Sequence, residues 1–209
     1  MNVRELVIKI LVLIVWIAML EVIIEMSESL ITKRALANAL KELMAEYPLS
    51  KITVGDIVER CNMNRKSFYY HFKDKYDLVN WIYYTEFVAN FKEEFIDSEW
   101  DFIEDICEFF YKNKAFYRNA LQITGQNSFY EYFGEVLSPF ILIYFESIFE
   151  ESKNREFYVN FFTDAFRTSI SRWLLEGAKI HPKEFVGLIK SAVTGAAVKI
   201  VKELEQNVL

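Results

Sequence analysis

Turn-forming residues are scarce in this sequence. Six glycines and three prolines stand among 209 residues. A sandwich or barrel needs many tight turns, so the deficit favours helices. Cysteine is scarce too: Cys61 and Cys107 are isolated, which excludes a disulfide framework and a cysteine-based zinc cage. The only two histidines, His71 and His181, lie far apart. There is no G-x-G-x-x-G, no phosphate-loop pattern, no H-E-x-x-H and no C-x-x-C. These absences argue against an enzyme, a bound metal and a cofactor.

What is abundant is apolar and aromatic. Hydrophobic residues make up 53 %, which excludes general disorder. Of the Phe, Tyr and Trp residues, 27 follow Trp81, so the second part of the chain can build a bulky core. The net charge of −6 hides an asymmetry. Residues 27–81 carry 9 lysines and arginines against 7 acids, and residues 82–209 carry 13 against 20. A mildly basic module on an acidic body suits a protein that offers one face to a polyanion.

Helical spacing runs through the chain. Leu36, Leu40 and Leu43 mark a first amphipathic helix over Ser29–Tyr47, stopped by Tyr47-Pro48. Thr53 and Asp56 form a variant capping box for a short helix to Cys61. Asn62 suits a left-handed turn residue, and Asn64 can cap a second short helix to about Phe72. Two short helices joined by about three residues form a helix-turn-helix. Asp74 can cap a longer helix from Lys75 into the low nineties. Further helices are expected at roughly 100–112, 114–123, 127–150 (kinked or divided by Pro139), 155–177 and 182–204.

The stretch TVGDIVERCNMNRKSFYYHFKDKYDL (residues 53–78) resembles the DNA-binding domain of TetR-family transcriptional regulators. Thr53, Ile57, Ser67, Phe68, Tyr69, His71, Phe72, Lys75 and Leu78 stand at the family's pattern positions. Asn62 replaces the usual turn glycine, Asn64 the usual capping serine, Cys61 a small alanine and Met63 a β-branched residue. None of these changes removes a chemical role.

The resemblance implies an all-α protein. A three-helix helix-turn-helix domain at 27–80 joins a helical effector and dimerisation domain at 81–209. Arg65, Lys66 and Ser67 open the second short helix, whose N-terminal end enters the major groove in helix-turn-helix proteins. Arg65 suits a bidentate guanine contact. Lys66 and Ser67 suit base edges or phosphate, and Asn64, which caps the helix beside them, is a further DNA-binding candidate. Thr53, Tyr69, His71 and Lys75 are candidates for the phosphate backbone, and Tyr70 for either groove contact or packing. Phe68 and Phe72 face the core.

The resemblance further implies a homodimer through the helices near 155–177 and 182–204, reading a palindromic operator. The strings Lys114–Arg118, Arg172–Gly177 and Lys179–Pro182 resemble the branch that includes activators of dihydroxyacetone-kinase operons. Control then falls to a small apolar ligand or a protein co-regulator. Phe109, Phe110, Phe116, Tyr117, Phe129 and Phe133 are candidates for an apolar effector pocket, or for plain core.

One segment stands apart. Residues 3–24 are apolar except for Arg4, Glu5, Lys9 and Glu21. A membrane span needs ~20 mostly apolar residues, and the uncharged stretch Ile10–Leu20 has 11. No small-residue cleavage site follows, which argues against a removed signal peptide. Three readings of residues 1–26 stand. Translation starts at Met26, an apolar arm packs on the protein, or an anchor makes this a membrane-tethered DNA-binding sensor. Without an anchor the expected location is the cytoplasm.

Overall fold

A computed structural model describes residues 27–91, 99–144 and 154–206. The apolar segment 1–26 lies outside the described residues. Among those described, no helix is long and apolar enough to cross a membrane.

Nine α-helices and two 3-10 turns make up the described fold, and no strand occurs among these residues. In chain order they are α1 (27–46), α2 (Val54–Arg60), α3 (Arg65–His71), α4 (Lys75–Glu86), α5 (Glu99–Lys112), α6 (Lys114–Ala120), α7 (Phe129–Tyr144), α8 (Arg155–Leu175) and α9 (Pro182–Gln206). The all-α expectation holds. Contacts divide the described residues into two units. Residues 27–46 with Ile52–Leu78 form the head, and Tyr47–Lys51 with the residues from Val79 onward form the body.

The head is small and closes on a dense core. Leu36 and Leu40 are fully buried, and Leu43 nearly so, as their spacing on α1 requires. Ile57 and Val58 of α2, Phe68 of α3, Phe72 and Leu78 complete the core. Arg60 of α2 reaches Glu42 (3.4 Å) and Glu46 (3.2 Å) on α1. These pairs are exposed and add little energy, but they favour one register of the two helices.

Side chains that bind their own backbone end each segment. Asp74 accepts from the N–H groups of Tyr76 (2.8 Å) and Asp77 (2.9 Å) and so starts α4. The expectation that this helix runs into the low nineties fails. It stops at Glu86, because the Asn90 amide donates to the carbonyls of Thr85 (2.7 Å) and Glu86 (3.4 Å). That side chain takes acceptors that a further helical turn would have used. The helix expected at 114–123 likewise ends early, at Ala120. Pro139 does not divide α7, which continues through it to Tyr144.

The body is built on rings. Tyr83 of α4 is fully buried. Phe110 of α5 stacks on it at 5.6 Å, and Phe129 of α7 meets it edge-on at 5.2 Å. Tyr117 of α6 does so at 5.9 Å. The turn from α8 to α9 is fixed by Trp173, whose indole N–H donates to the Ile180 carbonyl (3.0 Å) and whose ring stacks on Phe185 (4.8 Å). Gly177 (φ +97°) reverses the chain there.

Within the body, Asn119 of α6 holds the turn Leu49–Lys51. Its side chain accepts from the Leu49 N–H (2.7 Å) and donates to the Tyr47 carbonyl (2.9 Å). A single amide therefore satisfies one donor and one acceptor of a loop that lacks helical partners. Asn119→Ala should lower the unfolding free energy by about 1–3 kcal/mol, the net worth of the two hydrogen bonds it removes. Chemical denaturation of the two proteins measures the difference.

Candidate nucleic-acid interface

Local chemistry fixes how α2 meets α3. At Thr53 the capping box is complete. The Thr53 N–H donates to the Asp56 carboxylate (2.8 Å), as does its hydroxyl (2.8 Å). The Asp56 N–H donates back to the Thr53 hydroxyl oxygen (3.2 Å). The bond from the Thr53 backbone, then that from its hydroxyl, holds the Asp56 carboxyl below its ordinary range, and the charges of Arg65 and Lys75 add to this. Asn62 takes φ +54°, the left-handed conformation expected of it. Asn64 caps α3 by accepting from the Ser67 N–H (2.9 Å).

The helix thus fixed presents two faces. Phe68 is fully buried, with Phe72 beside it at 5.8 Å. Arg65, Lys66, Tyr69 and Tyr70 are exposed, Tyr70 most of all at 74 %. Exposed tyrosines on a short helix leave apolar area in water, which suits a surface made to be covered. Ser67 and His71 are half-buried at its edges. The structure therefore brings the expected α3 residues onto one helix end and its outer face.

Two of the expected contact groups have work inside the head. The Lys75 ammonium donates to the Ile52 carbonyl (2.6 Å), so it ties the start of α4 to the residue before Thr53. Burial lowers its pKa, against the pull of Asp56 and Asp74. The Thr53 hydroxyl hydrogen is committed to Asp56. Arg65 is different. Its guanidinium has no hydrogen-bond partner among the described residues and rests across Gly55 of α2. A β-carbon at Gly55 would fall 2.9 Å from a terminal nitrogen of Arg65. Sequence reading missed Gly55, because a glycine inside a helix shows no sign of the side chain that will lie on it.

The six candidate effector residues come together in the body. Phe110, Tyr117, Phe129 and Phe133 are all but fully buried, while Phe109 and Phe116 are half-buried. Five of the six lie within 6.2 Å of the Tyr83 ring, centre to centre, and Phe116 lies 5.0 Å from Tyr117. The hydroxyls of Tyr83 and Tyr117 are buried there without a hydrogen-bond partner. Phe109 also faces a cleft of about 340 Å³ that it shares with Phe87, Phe91 and Glu108. Tyr83, the hub, has no distinguishing sequence signal. Burial raises both thiol pKa values, at Cys61 and Cys107. Among the described residues no group of acids, histidines and cysteines can hold a metal ion.

His71 gives a pH test of the head. Burial first, then the charge of Lys33, holds its pKa below the ordinary 6.5. The unfolded chain takes up a proton near pH ~6.5, while the folded head resists until a lower pH. The stability is thus full above that value and is lost as pH falls through it toward the folded pKa. Replacing His71 with Gln should flatten this loss, as read from urea midpoints at about pH 7.5 and about pH 5.

Comparison with known proteins places the two units. The pattern described as "Bacterial regulatory proteins, tetR family" matches residues 36–82, and "Transcriptional regulator C-terminal region" matches residues 98–195. The HTH-type dhaKLM operon transcriptional activator DhaS of Lactococcus lactis subsp. lactis (strain IL1403) is 33 % identical over 64 residues, 31 % of this chain. The match spans 34 % of that relative's length. The solved structure of the dihydroxyacetone kinase operon activator DhaS has a TM-score of 0.58 at 20 % identity, over 82 % of this chain and 98 % of that one, and shares its fold. With the helix-turn-helix on one matched stretch and the helical body on the other, the chain belongs to the TetR family of DNA-binding transcriptional regulators.

Proposed function

We propose that the protein acts as a homodimer that reads a palindromic operator with α3 of each copy. A small apolar ligand or a protein co-regulator sets its affinity. The observation that carries this reading is the outer face of α3, where Arg65, Lys66, Tyr69 and Tyr70 stand exposed above a fully buried Phe68. Arg65 is assigned to a base edge, because its guanidinium is free to make a bidentate contact. Lys66, Tyr69 and His71 are assigned to the backbone. Lys75 and Thr53 position the helices first and approach phosphate second.

Dimerisation is supported by apolar side chains left in water on the last two helices. Phe157 is 65 % and Phe161 56 % exposed on α8, and Leu188 is 54 % exposed on α9. Phe157 and Phe161 are four residues apart and share one face. Glycines 187 and 195 meet nothing within 4 Å, so that part of α9 admits close approach of another helix. The ligand half of the reading is supported by the two unpartnered hydroxyls in the aromatic cluster, which a polar group on a bound molecule would satisfy. The lactococcal relative is an activator of its operon, so activation is one sign for a reporter assay to read.

Two measurements test this. Duplexes selected from a random pool define the operator. Arg65→Ala should weaken binding to it by about 5- to 150-fold, with little change on random DNA. An equal loss on both duplexes makes Arg65 a phosphate contact. Phe161→Glu should yield monomers in sedimentation; a stable dimer places the interface elsewhere.

A further inference from the structure

The outer face of α3 runs on into a second helix. Exposed Tyr70 meets the His71 ring edge-on at 4.8 Å, and His71 lies 6.4 Å from the ring of buried Phe72. Over that same Phe72 ring, at 6.0 Å, stands the ammonium of Lys33, which comes from α1. Lys33 and His71 are both half-buried. They are close enough for the charge of Lys33 to act on the imidazole. Two basic groups from two helices therefore meet at the end of α3.

Packing accounts for the stem of Lys33 but not for its charge. A lysine covers apolar surface with its methylenes and turns its ammonium outward. Other cations of the head are matched: Arg60 by Glu42 and Glu46, Lys75 by the Ile52 carbonyl. Neither Lys33 nor His71 has an ion-pair or hydrogen-bond partner among the described residues. The acids that follow α3 in the chain are engaged by backbone. Asp74 accepts from Tyr76 and Asp77, and Asp77 accepts from the Lys73 N–H (2.9 Å). Glu28 of α1 lies five residues before Lys33, about 140° around the helix. What this pair lacks is an anion.

We propose that Lys33 is a DNA-contact residue, and that it grips one backbone phosphate together with His71. The ammonium offers three donors and the imidazole an N–H, while a phosphodiester offers acceptors and a negative charge. The proposal rests on the assignment of His71 to the backbone. It brings α1 into the interface, and phosphate contacts fix the register and orientation of a protein on the duplex. Lys33 precedes the stretch 53–78 that carries the family pattern, so the pattern gives it no role.

The test is binding of the full chain to the selected operator and to random DNA, read by fluorescence anisotropy over a salt series. Lys33→Met keeps the stem over Phe72 and removes the charge. It should weaken binding to both duplexes about five- to tenfold at ~0.1 M salt and lower the salt slope by about 1 for each head bound. Lys33→Arg should restore both. Lys183→Gln, an equal charge change at an exposed position of α9, should leave the slope unchanged. Urea midpoints check that each variant is folded. In the unaltered protein, DNA should protect Lys33 from acetylation, as mass spectrometry reads. Operators with single methylphosphonates then locate the grip: the same neutralised phosphate should lose its effect in Lys33→Met and in His71→Gln. An unchanged slope in Lys33→Met, undiminished acetylation of Lys33 on DNA, or different phosphates for the two variants overturns the proposal and leaves His71 on the backbone. No such phosphate for His71→Gln removes the assignment on which the proposal rests, and the proposal with it.

Discussion

Tyr83 is the ring on which four helices of the body converge. It stacks between Phe87 and Phe110 and takes the edges of Tyr117, Phe129 and Phe133. Such pairs add about 0.5–1.5 kcal/mol each beyond the area they bury. α6 has only 7 residues and does not stand alone as a helix. What holds it is the burial of Tyr117 and Ala120, and its reward to the rest is Asn119, which secures the turn Leu49–Lys51. The aromatic contacts thus come first, and the polar clasp depends on them. The same cluster carries a counter-term. Each buried tyrosine hydroxyl without a partner sets about 1–3 kcal/mol against the stabilisation that its ring provides.

The head works on another principle. Its helices are seven residues long at α2 and α3, too short to be stable by propensity. Each is started by a side chain that binds its own backbone: Thr53 with Asp56, then Asn64, then Asp74. The left-handed Asn62 sets the angle between the two. Capping of this kind is worth about 0.5–2 kcal/mol per site. It also fixes positions, so the outer face of α3 is set by bonds that never involve the outer face. Lys75 adds a fourth tie, from α4 to the Ile52 carbonyl.

These features explain what could be read from the residues alone. Caps and periodic leucines are local, so Thr53, Asn62, Asn64 and the α1 core of Leu36, Leu40 and Leu43 were legible. The exposed face of α3 followed from the position of Phe68 and Phe72. Helix ends set by distant or unusual donors were not legible. Nothing in the string around Asn90 says that its amide will close α4. Asn119 is one polar residue in an amphipathic segment, and its partner loop lies 70 residues earlier. The hub role of Tyr83 arises from four helices at once, and spacing within one helix carries no trace of it. Pattern marks the DNA-contact candidates alike, and the structure separates them by occupation: the Lys75 ammonium is hydrogen-bonded within the head, while the Arg65 guanidinium is not.

The resting place of Arg65 has a kinetic meaning. The guanidinium lies over Gly55 with no hydrogen bond to break, on an exposed residue. Lifting it is a rotamer change, which takes picoseconds to nanoseconds on a protein surface. A protein that slides along DNA spends far longer than that near each site. For the base contact proposed here, the arginine therefore tries each position many times before the protein moves on. Discrimination of that kind is expressed in how long the complex lasts and not in how often it forms.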